Sequence, residues 1–194
     1  MTRQAAPADA QVVDDTRHWL RQAVIGLNLC PFAKSVDVKN QVYYAVSRAV
    51  GFRDMLADLK CELEALADSP PEVRDTTLLI AAEGFGEFLE FNSLLVEANR
   101  MLAKWGYAGV FQIASLHPRY QFADTEPDDV TNCTNRSPYP TLHLLREASI
   151  DRAVQAFPNA ESIFANNMAT MLRMGRSGWD ALGVQAGGSG KAAP

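Results

Sequence analysis

The chain has 194 residues, of which 47% are hydrophobic, with a formal net charge of −5 and a pI near 5.2. This length allows one globular domain with a complete core, and the acidic balance without a run of Lys and Arg argues against a nucleic-acid-binding protein. No apolar run approaches the roughly 20 residues of a membrane span, and residues 1–10 lack the apolar segment of a signal peptide. We therefore expect a cytoplasmic protein that binds neither nucleic acid nor membranes.

The N-terminal region is predicted to form a tail and a helix. Residues 1–12 are Ala-rich and show no periodic pattern, which is typical of a loose terminal segment. Acidic residues suited to a helix start follow, and apolar residues then recur at helical spacing as far as Leu27. We expect the helix to end near Leu29, because Pro31 disfavours the α conformation at Cys30.

Three segments predict strands, with helices between them. Residues 41–48 are rich in β-branched and aromatic side chains, residues 76–82 form the continuous apolar run of a strand buried on both faces, and residues 109–116 form a third strand. Apolar stripes that begin at Phe52 and Phe88 predict two amphipathic helices. The alternation predicts an α/β fold with a small parallel βαβαβ sheet flanked by helices, to which an edge strand can still be added.

Two helices are predicted at the C-terminal end of the chain. The first is capped by Ser137 or Thr141 and ends at Pro158. The second is capped by Asn159 and ends at Gly175. The predicted organisation is a flexible tail (1–12), a single α/β domain (13–176) and a mostly flexible tail (177–194).

A long polar, proline-rich loop separates the third strand from the first of these two helices. Two of the three histidines, His117 and His143, lie in this loop or directly after it. In parallel α/β sheets, ligands bind beyond the carboxyl ends of the strands, and the loop leaves one of those ends. Because long ordered loops are often functional, we expect the functional site within residues 117–147.

His117 is the first candidate for a catalytic acid or base, since a neutral imidazole exchanges protons near pH 7. The structural alternative is a histidine that caps the strand end through backbone hydrogen bonds. On the predicted helix, His143, Arg146 and Glu147 share one face. The alternative for that face is a solvated surface with an ordinary ion pair. Either Glu147 or Asp129 is the candidate carboxylate that orients an imidazole.

Arg136 and Arg146 are the candidate groups for binding an anion. A guanidinium forms paired hydrogen bonds with carboxylate or phosphate, and the N–H groups of a helix N-terminus after Arg136 also favour anions. Asn135 and Tyr139 can add neutral hydrogen bonds. The structural alternative is a capping turn whose side chains satisfy the backbone of the loop itself.

Cys30 is a weaker candidate for a catalytic nucleophile. The C-terminal end of a helix disfavours a thiolate, so a thiol that packs as a small apolar side chain is the favoured interpretation. A metal site is a variant, because His117 and His143, with Asp128 or Asp129 and Cys30, are ligand types suited to zinc or iron. Their spacing matches no metal motif, and the sequence leaves open whether a cofactor is bound.

Several blocks of sequence resemble a known family. They are Asn28–Ala33 (NLCPFA), His117-Pro118 with Tyr120–Ala123 (YQFA), Asp128-Asp129, and Thr134–Glu147 (TNRSPYPTLHLLRE). The sequence resembles a bacterial family of uncharacterised proteins, catalogued as a domain of unknown function, over most of residues 13–175. The resemblance implies a stand-alone cytosolic bacterial protein, but it implies no activity, cofactor or catalytic residue.

The leading functional hypothesis is a small enzyme, of transferase or hydrolase type, that acts on an anionic metabolite. The alternative is a non-catalytic protein that binds a ligand or partner with the same loop. Convergence of His117, Arg136, His143 and Arg146 in one pocket would favour the enzyme. The apolar stripes fit either a monomer core or a dimer interface, so both oligomeric states stay open.

Overall fold

The computed structural model describes residues 7–156 and 162–187. The helices are α1 (Asp9–Trp19), α2 (Ala33–Val38), α3 (Phe52–Asp68), α4 (Phe88–Lys104), α5 (Glu147–Ala156) and α6 (Ile163–Ala181). The strands are β1 (Val42–Ser47), β2 (Thr76–Ala81), β3 (Phe111–Leu116) and β4 (Thr141–Arg146). A π-helical segment (Leu20–Ile25) extends α1, and a 3₁₀ helix (Val130–Asn135) precedes β4.

The sheet is mixed, with strand order β1-β2-β4-β3. β1 and β2 are parallel, whereas β4 lies between β2 and β3 and is antiparallel to both. The prediction of a purely parallel sheet is therefore wrong, although the α/β class and the first three strands are confirmed. Since β1, β2 and β3 run in the same direction, their carboxyl ends meet at one edge of the sheet, as expected.

The start predicted for the first C-terminal helix, at Ser137 or Thr141, is also wrong, because residues 141–146 form β4 and the helix begins only at Glu147. A short apolar run such as this fits a helix or a strand equally well by periodicity alone. Here the neighbours decide: Leu142 pairs with Leu79 of β2 on one side and with Ser115 of β3 on the other. The main-chain groups of β4 are thus bonded on both sides, which no helix at this position can achieve.

The strand conformation changes the orientation of the predicted site residues. Successive side chains of a strand point to opposite faces of the sheet. His143 and Arg146 therefore lie on opposite faces, and Glu147 is already the first residue of α5. The shared helical face predicted for these three side chains does not exist.

The sheet is covered by helices on both faces, which gives three layers. On one face, α3 and α4 bury apolar residues against the sheet, among them Leu59, Leu63, Phe91 and Leu94. On the other face, the core includes Trp19 of α1, together with Met171 and Trp179 of α6. All six residues of β2 are buried, as predicted for a strand covered on both sides.

The ends of the helices differ from the predicted boundaries. α1 begins at Asp9, inside the predicted tail, and α6 continues to Ala181, although Gly175 interrupts it with a φ of +67°. The predicted boundaries at Pro158 and Asn159, and residues 1–6 and 188–194 of the predicted tails, lie outside the described residues. Within the described ranges, no helix is long and apolar enough to cross a membrane.

Candidate functional site

His117 lies directly after β3 and is fully buried. Its Nε2 lies 3.0 Å from the carbonyl oxygen of Phe85, and its Nδ1 accepts a hydrogen bond of 2.9 Å from the N–H of Arg119. Since an N–H can only donate, Nδ1 is unprotonated and Nε2 carries the proton. The ring packs against Phe88 and Phe91, with centroid separations of 5.3 Å to each.

Both ring nitrogens of His117 are therefore bonded to the backbone of neighbouring turns. Burial lowers the pKa of His117, so the ring is neutral at pH 7. The geometry matches the structural alternative, a histidine that caps a strand end, and leaves neither nitrogen available to a substrate. An acid–base role for His117 gains no support from this arrangement.

The polar side chains of the loop mainly bind the loop's own backbone. Asp129 accepts hydrogen bonds from the hydroxyl and the N–H of Thr131, at 2.7 and 2.8 Å, which lower the pKa of Asp129. Arg136 donates from Nε to the carbonyl of Tyr120 at 3.3 Å and from Nη2 to that of Pro127 at 2.6 Å. Two of the predicted site residues thus stabilise the conformation of the loop.

Tyr139, Arg146 and Glu147 also lie in surroundings that differ from the predicted ones. Tyr139 is buried, and its hydroxyl donates to the buried carboxylate of Asp15 at 2.8 Å. The guanidinium of Arg146 reaches the C-terminal end of α3, where a cation is favourable. It donates there to the carbonyl oxygens of Leu66, Ser69 and Arg74. Glu147 starts α5 at the edge of the sheet opposite to His117.

Of the four residues expected to share a pocket, His143 and Arg146 line the same cavity, whereas His117 and Arg136 do not line it. His117 lies at the carboxyl edge of the sheet, Arg146 at the opposite edge, and His143 midway along β4 on the face opposite to Arg146. In the part of the chain that the structure describes, no group of three or more His, Cys, Asp or Glu side chains could hold a metal ion. The variant with His117 and His143 as joint metal ligands is not supported.

A cavity of about 370 Å³ lies instead on the face of the sheet that carries His143, beneath α1, α2, α5 and α6. We call it the sheet-face cavity. Its volume falls within the roughly 300–1,000 Å³ of small-molecule sites, which typically combine apolar walls with few polar groups. The apolar walls include Trp19, Leu20, Leu29, Cys30, Phe32, Leu78, Leu116 and Leu145, and the polar residues include Asp75, Gln112, Thr134, Asn135, His143, Arg146, Ser149 and Asn167.

His143 is the most informative of these polar residues. It lies between Leu78 of β2 and Ala114 of β3, and its Nε2 is 2.8 Å from the hydroxyl of Thr76. That hydroxyl donates its single hydrogen to the carbonyl of Leu144 at 2.7 Å. The imidazole must therefore supply the other hydrogen, which places the proton on Nε2 and a lone pair on Nδ1.

Nδ1 of His143 forms no hydrogen bond with any described residue. Burial lowers the pKa of His143 to about 4, so the ring is uncharged at pH 7 and Nδ1 is a pure acceptor. The ring keeps partial exposure through the cavity that it lines. A neutral acceptor is thus presented to a mainly apolar space.

Asn135 is the second polar group that remains available. Its backbone carbonyl accepts from the N–H of His117 at 3.2 Å and so joins the 3₁₀ helix to the end of β3. Its side-chain amide lines the cavity and forms no hydrogen bond within the described ranges. Asn167 of α6, by contrast, already donates to the carbonyl of Leu29 at 2.9 Å.

Cys30 lines the same cavity but is not activated. Burial raises the pKa of its thiol and outweighs the opposing backbone hydrogen bonds from Phe32 and Ala33. An un-ionised thiol is a poor nucleophile, so Cys30 serves here as part of an apolar wall.

Some cavity residues had no recognisable signal in the sequence. Asn167 is one of several polar residues on α6, and Leu29 and Phe32 follow no local motif of known chemistry. The family resemblance is the feature of the sequence that indicates this cavity. Residues 29–33 and 134–145 belong to two of the sequence blocks that carry the resemblance, and both blocks contribute to the lining.

The fold and the cavity together define a three-layer α/β protein with a ligand-sized cavity on one face of a mixed sheet. The chain belongs to the family described as "Protein of unknown function (DUF1415)", whose family model matches residues 11–181. The predicted resemblance to a domain of unknown function is thereby confirmed. Comparisons with curated proteins and with solved structures gave no match.

Proposed function

We propose that this protein binds a small, mainly apolar molecule in the sheet-face cavity. A hydroxyl or N–H group of that molecule donates a hydrogen bond to Nδ1 of His143. The observation that carries the proposal is this uncharged imidazole, which lines a mainly apolar cavity and whose second nitrogen has no partner among the described residues. The proposal corresponds to the non-catalytic alternative for residues 117–147, since Thr134, Asn135 and His143 come from that region.

The cost of the arrangement supports a role in binding. A polar ring placed against mainly apolar walls costs part of the hydration of that ring. A leucine at position 143 would avoid this cost and would match Leu78, its neighbour in the sheet. Departures of this kind from the best local choice are expected mainly at functional sites, and a bound donor would offset the cost.

The chemistry of the cavity also defines the class of ligand. An imidazole with a pKa of about 4 offers a lone pair rather than a positive charge, so it prefers a neutral donor to a carboxylate or phosphate. The amide of Asn135 can donate to, or accept from, a second polar atom. An alcohol, a phenol or an amide with an apolar body of modest size satisfies these conditions.

We expect the ligand to enter the cavity from an adjoining surface groove. A wider groove of about 510 Å³ lies between α2 and α5 on the surface of the protein. It shares Phe32, Val36, Asp75, Ser149 and Ala153 with the lining of the sheet-face cavity, so the two spaces adjoin.

An enzyme is the second candidate function, because Nδ1 of His143 could accept a proton from a bound substrate. A base with a pKa of about 4 is weak at neutral pH, however, whereas efficient catalytic bases have a pKa near the working pH. The thiol of Cys30, the predicted candidate nucleophile, is un-ionised. Binding is therefore favoured over catalysis.

A thermal-shift screen with matched pairs of compounds tests the proposal. Each pair, such as p-cresol and toluene, differs only by one hydroxyl, and a ligand of the folded state raises the apparent stability. We expect the hydroxylated members to give the larger shift with the wild-type protein, and this preference to disappear in His143→Leu. The variant His18→Gln is the control, since His18 lies outside the cavity lining and contacts the carbonyl of Leu182 at 3.3 Å. A hydroxyl preference that survives in His143→Leu would contradict the assignment.

A further inference from the structure

A second cavity, of about 360 Å³, lies beside the carboxyl edge of the sheet. We call it the arginine cleft. Its lining includes Pro118, Arg136, Ser137, Arg176, Trp179 and Gln185. The cleft has two guanidinium groups and, among the described residues, no carboxylate in its lining, although the whole chain carries a net charge of −5. A local concentration of positive charge in an acidic protein points to an anionic ligand.

Arg136 is held rigidly in this cleft. Its Nε and Nη2 are bonded to two loop carbonyls, while its Nη1 has only a weak contact of 4.0 Å with the sulfur of Cys133. The guanidinium therefore keeps donor capacity in a fixed position. A rigid donor loses little conformational freedom when it binds a ligand.

Arg176 of α6 also lines the cleft. Its Nε forms an ion pair of 3.2 Å with Asp180, and its terminal nitrogens bond to no residue in the described part of the chain. Asp180 compensates one of the two positive charges, so the cleft retains a net positive charge. The remaining donors of Arg136 and Arg176 can bind one anion between them.

We propose that the arginine cleft binds a phosphate group, either free or esterified to a small metabolite. Two guanidinium groups match the charge and the multiple acceptor oxygens of a phosphate better than those of a single carboxylate. The site is separate from the sheet-face cavity and does not depend on a ligand there. The sequence predicts that Arg136 and Arg146 bind the anion together. In this proposal Arg176 takes the place of Arg146.

Calorimetric titration of the whole protein with inorganic phosphate, at constant ionic strength, tests this proposal. We expect saturable binding to the wild-type protein and about tenfold weaker binding to Arg176→Gln, which loses one partly exposed charged donor. Arg173→Gln is the matched control, because Arg173 lies on the same helix, contacts Thr170 at 3.3 Å and does not line the cleft. Asp180→Asn, which frees Arg176 from its ion pair, should bind phosphate more tightly.

Three results would overturn the proposal. They are the absence of saturable phosphate binding to the wild-type protein, equal weakening by Arg176→Gln and Arg173→Gln, and equal affinity for phosphate and acetate. None of these measurements involves the sheet-face cavity. A negative result would therefore overturn only the phosphate proposal and would leave the proposed role of His143 unchanged.

Discussion

Replacement of His143 by leucine should leave the protein about as stable as the wild type at pH 7. The substitution removes the hydrogen bond from Nε2 to Thr76, which is worth about 1 kcal/mol. It also places an apolar side chain against the mainly apolar walls of the cavity, which recovers about 1 kcal/mol. Thr76 still donates to the carbonyl of Leu144. We therefore expect a free energy of unfolding within about 1 kcal/mol of the wild-type value, or above it.

The same substitution at His117 should be destabilising, because the surroundings of that ring differ. Leucine at position 117 leaves the carbonyl of Phe85 and the N–H of Arg119 without their partner. The fully buried ring position gives water little access to replace these bonds. Each unsatisfied group costs about 1–3 kcal/mol, and the N–H of Arg119 costs less because it lies nearer the surface. We therefore expect the free energy of unfolding to decrease by about 2–4 kcal/mol.

Urea denaturation at pH 7, followed by tryptophan fluorescence, measures both variants in one experiment. Equal denaturant slopes would show that the variants unfold to comparable states. His18→Gln controls for the loss of a histidine outside both sites. If His143→Leu loses as much stability as His117→Leu, then His143 is a structural residue and the argument for a ligand at Nδ1 fails.

Two further predictions concern pH and the second arginine of the predicted site. Between pH 6.5 and 4, His143 binds a proton in the unfolded chain but stays neutral in the folded protein. The free energy of unfolding of the wild type therefore decreases as the pH is lowered. We expect the wild type to lose about 2–3 kcal/mol more than His143→Leu between pH 7 and pH 4 in urea titrations; parallel pH profiles would refute this. Arg146→Met removes the donor to the carbonyls of Leu66, Ser69 and Arg74 and should cost about 2–3 kcal/mol. Phosphate binding should not weaken, because Arg146 does not line the arginine cleft. Loss of phosphate binding with unchanged stability would instead place Arg146 in the phosphate site.

The elements that the sequence predicts well are those whose pattern is local. The apolar stripes of α3 and α4 and the continuous apolar run of β2 carry their own periodicity. Residues 141–146 carry no such decisive pattern, and their conformation depends on pairing with β2 and β3. Tertiary contacts therefore determine β4, and with it the direction in which His143 points.

The candidate site was predicted only in part for a related reason. His143 and Asn135 were recognised as polar residues in an unusual segment, but their cavity is completed by α1, α2 and α6, which lie elsewhere in the chain. The hydrogen bonds of Asp129 and Arg136 to the loop itself explain why much of that segment is polar. A sequence shows which groups can form hydrogen bonds, whereas only the fold shows which groups have already formed them.

Nitrogen-15 NMR of the His143 imidazole tests the central claim most directly. A protein labelled at histidine should show a neutral ring at pH 7 and at pH 5, with the proton on Nε2 and an unprotonated Nδ1. The Nδ1 resonance should shift when p-cresol binds and should stay in place when toluene binds. A ring that titrates near pH 6.5, or a proton found on Nδ1, would contradict the account of His143 as the acceptor for a ligand.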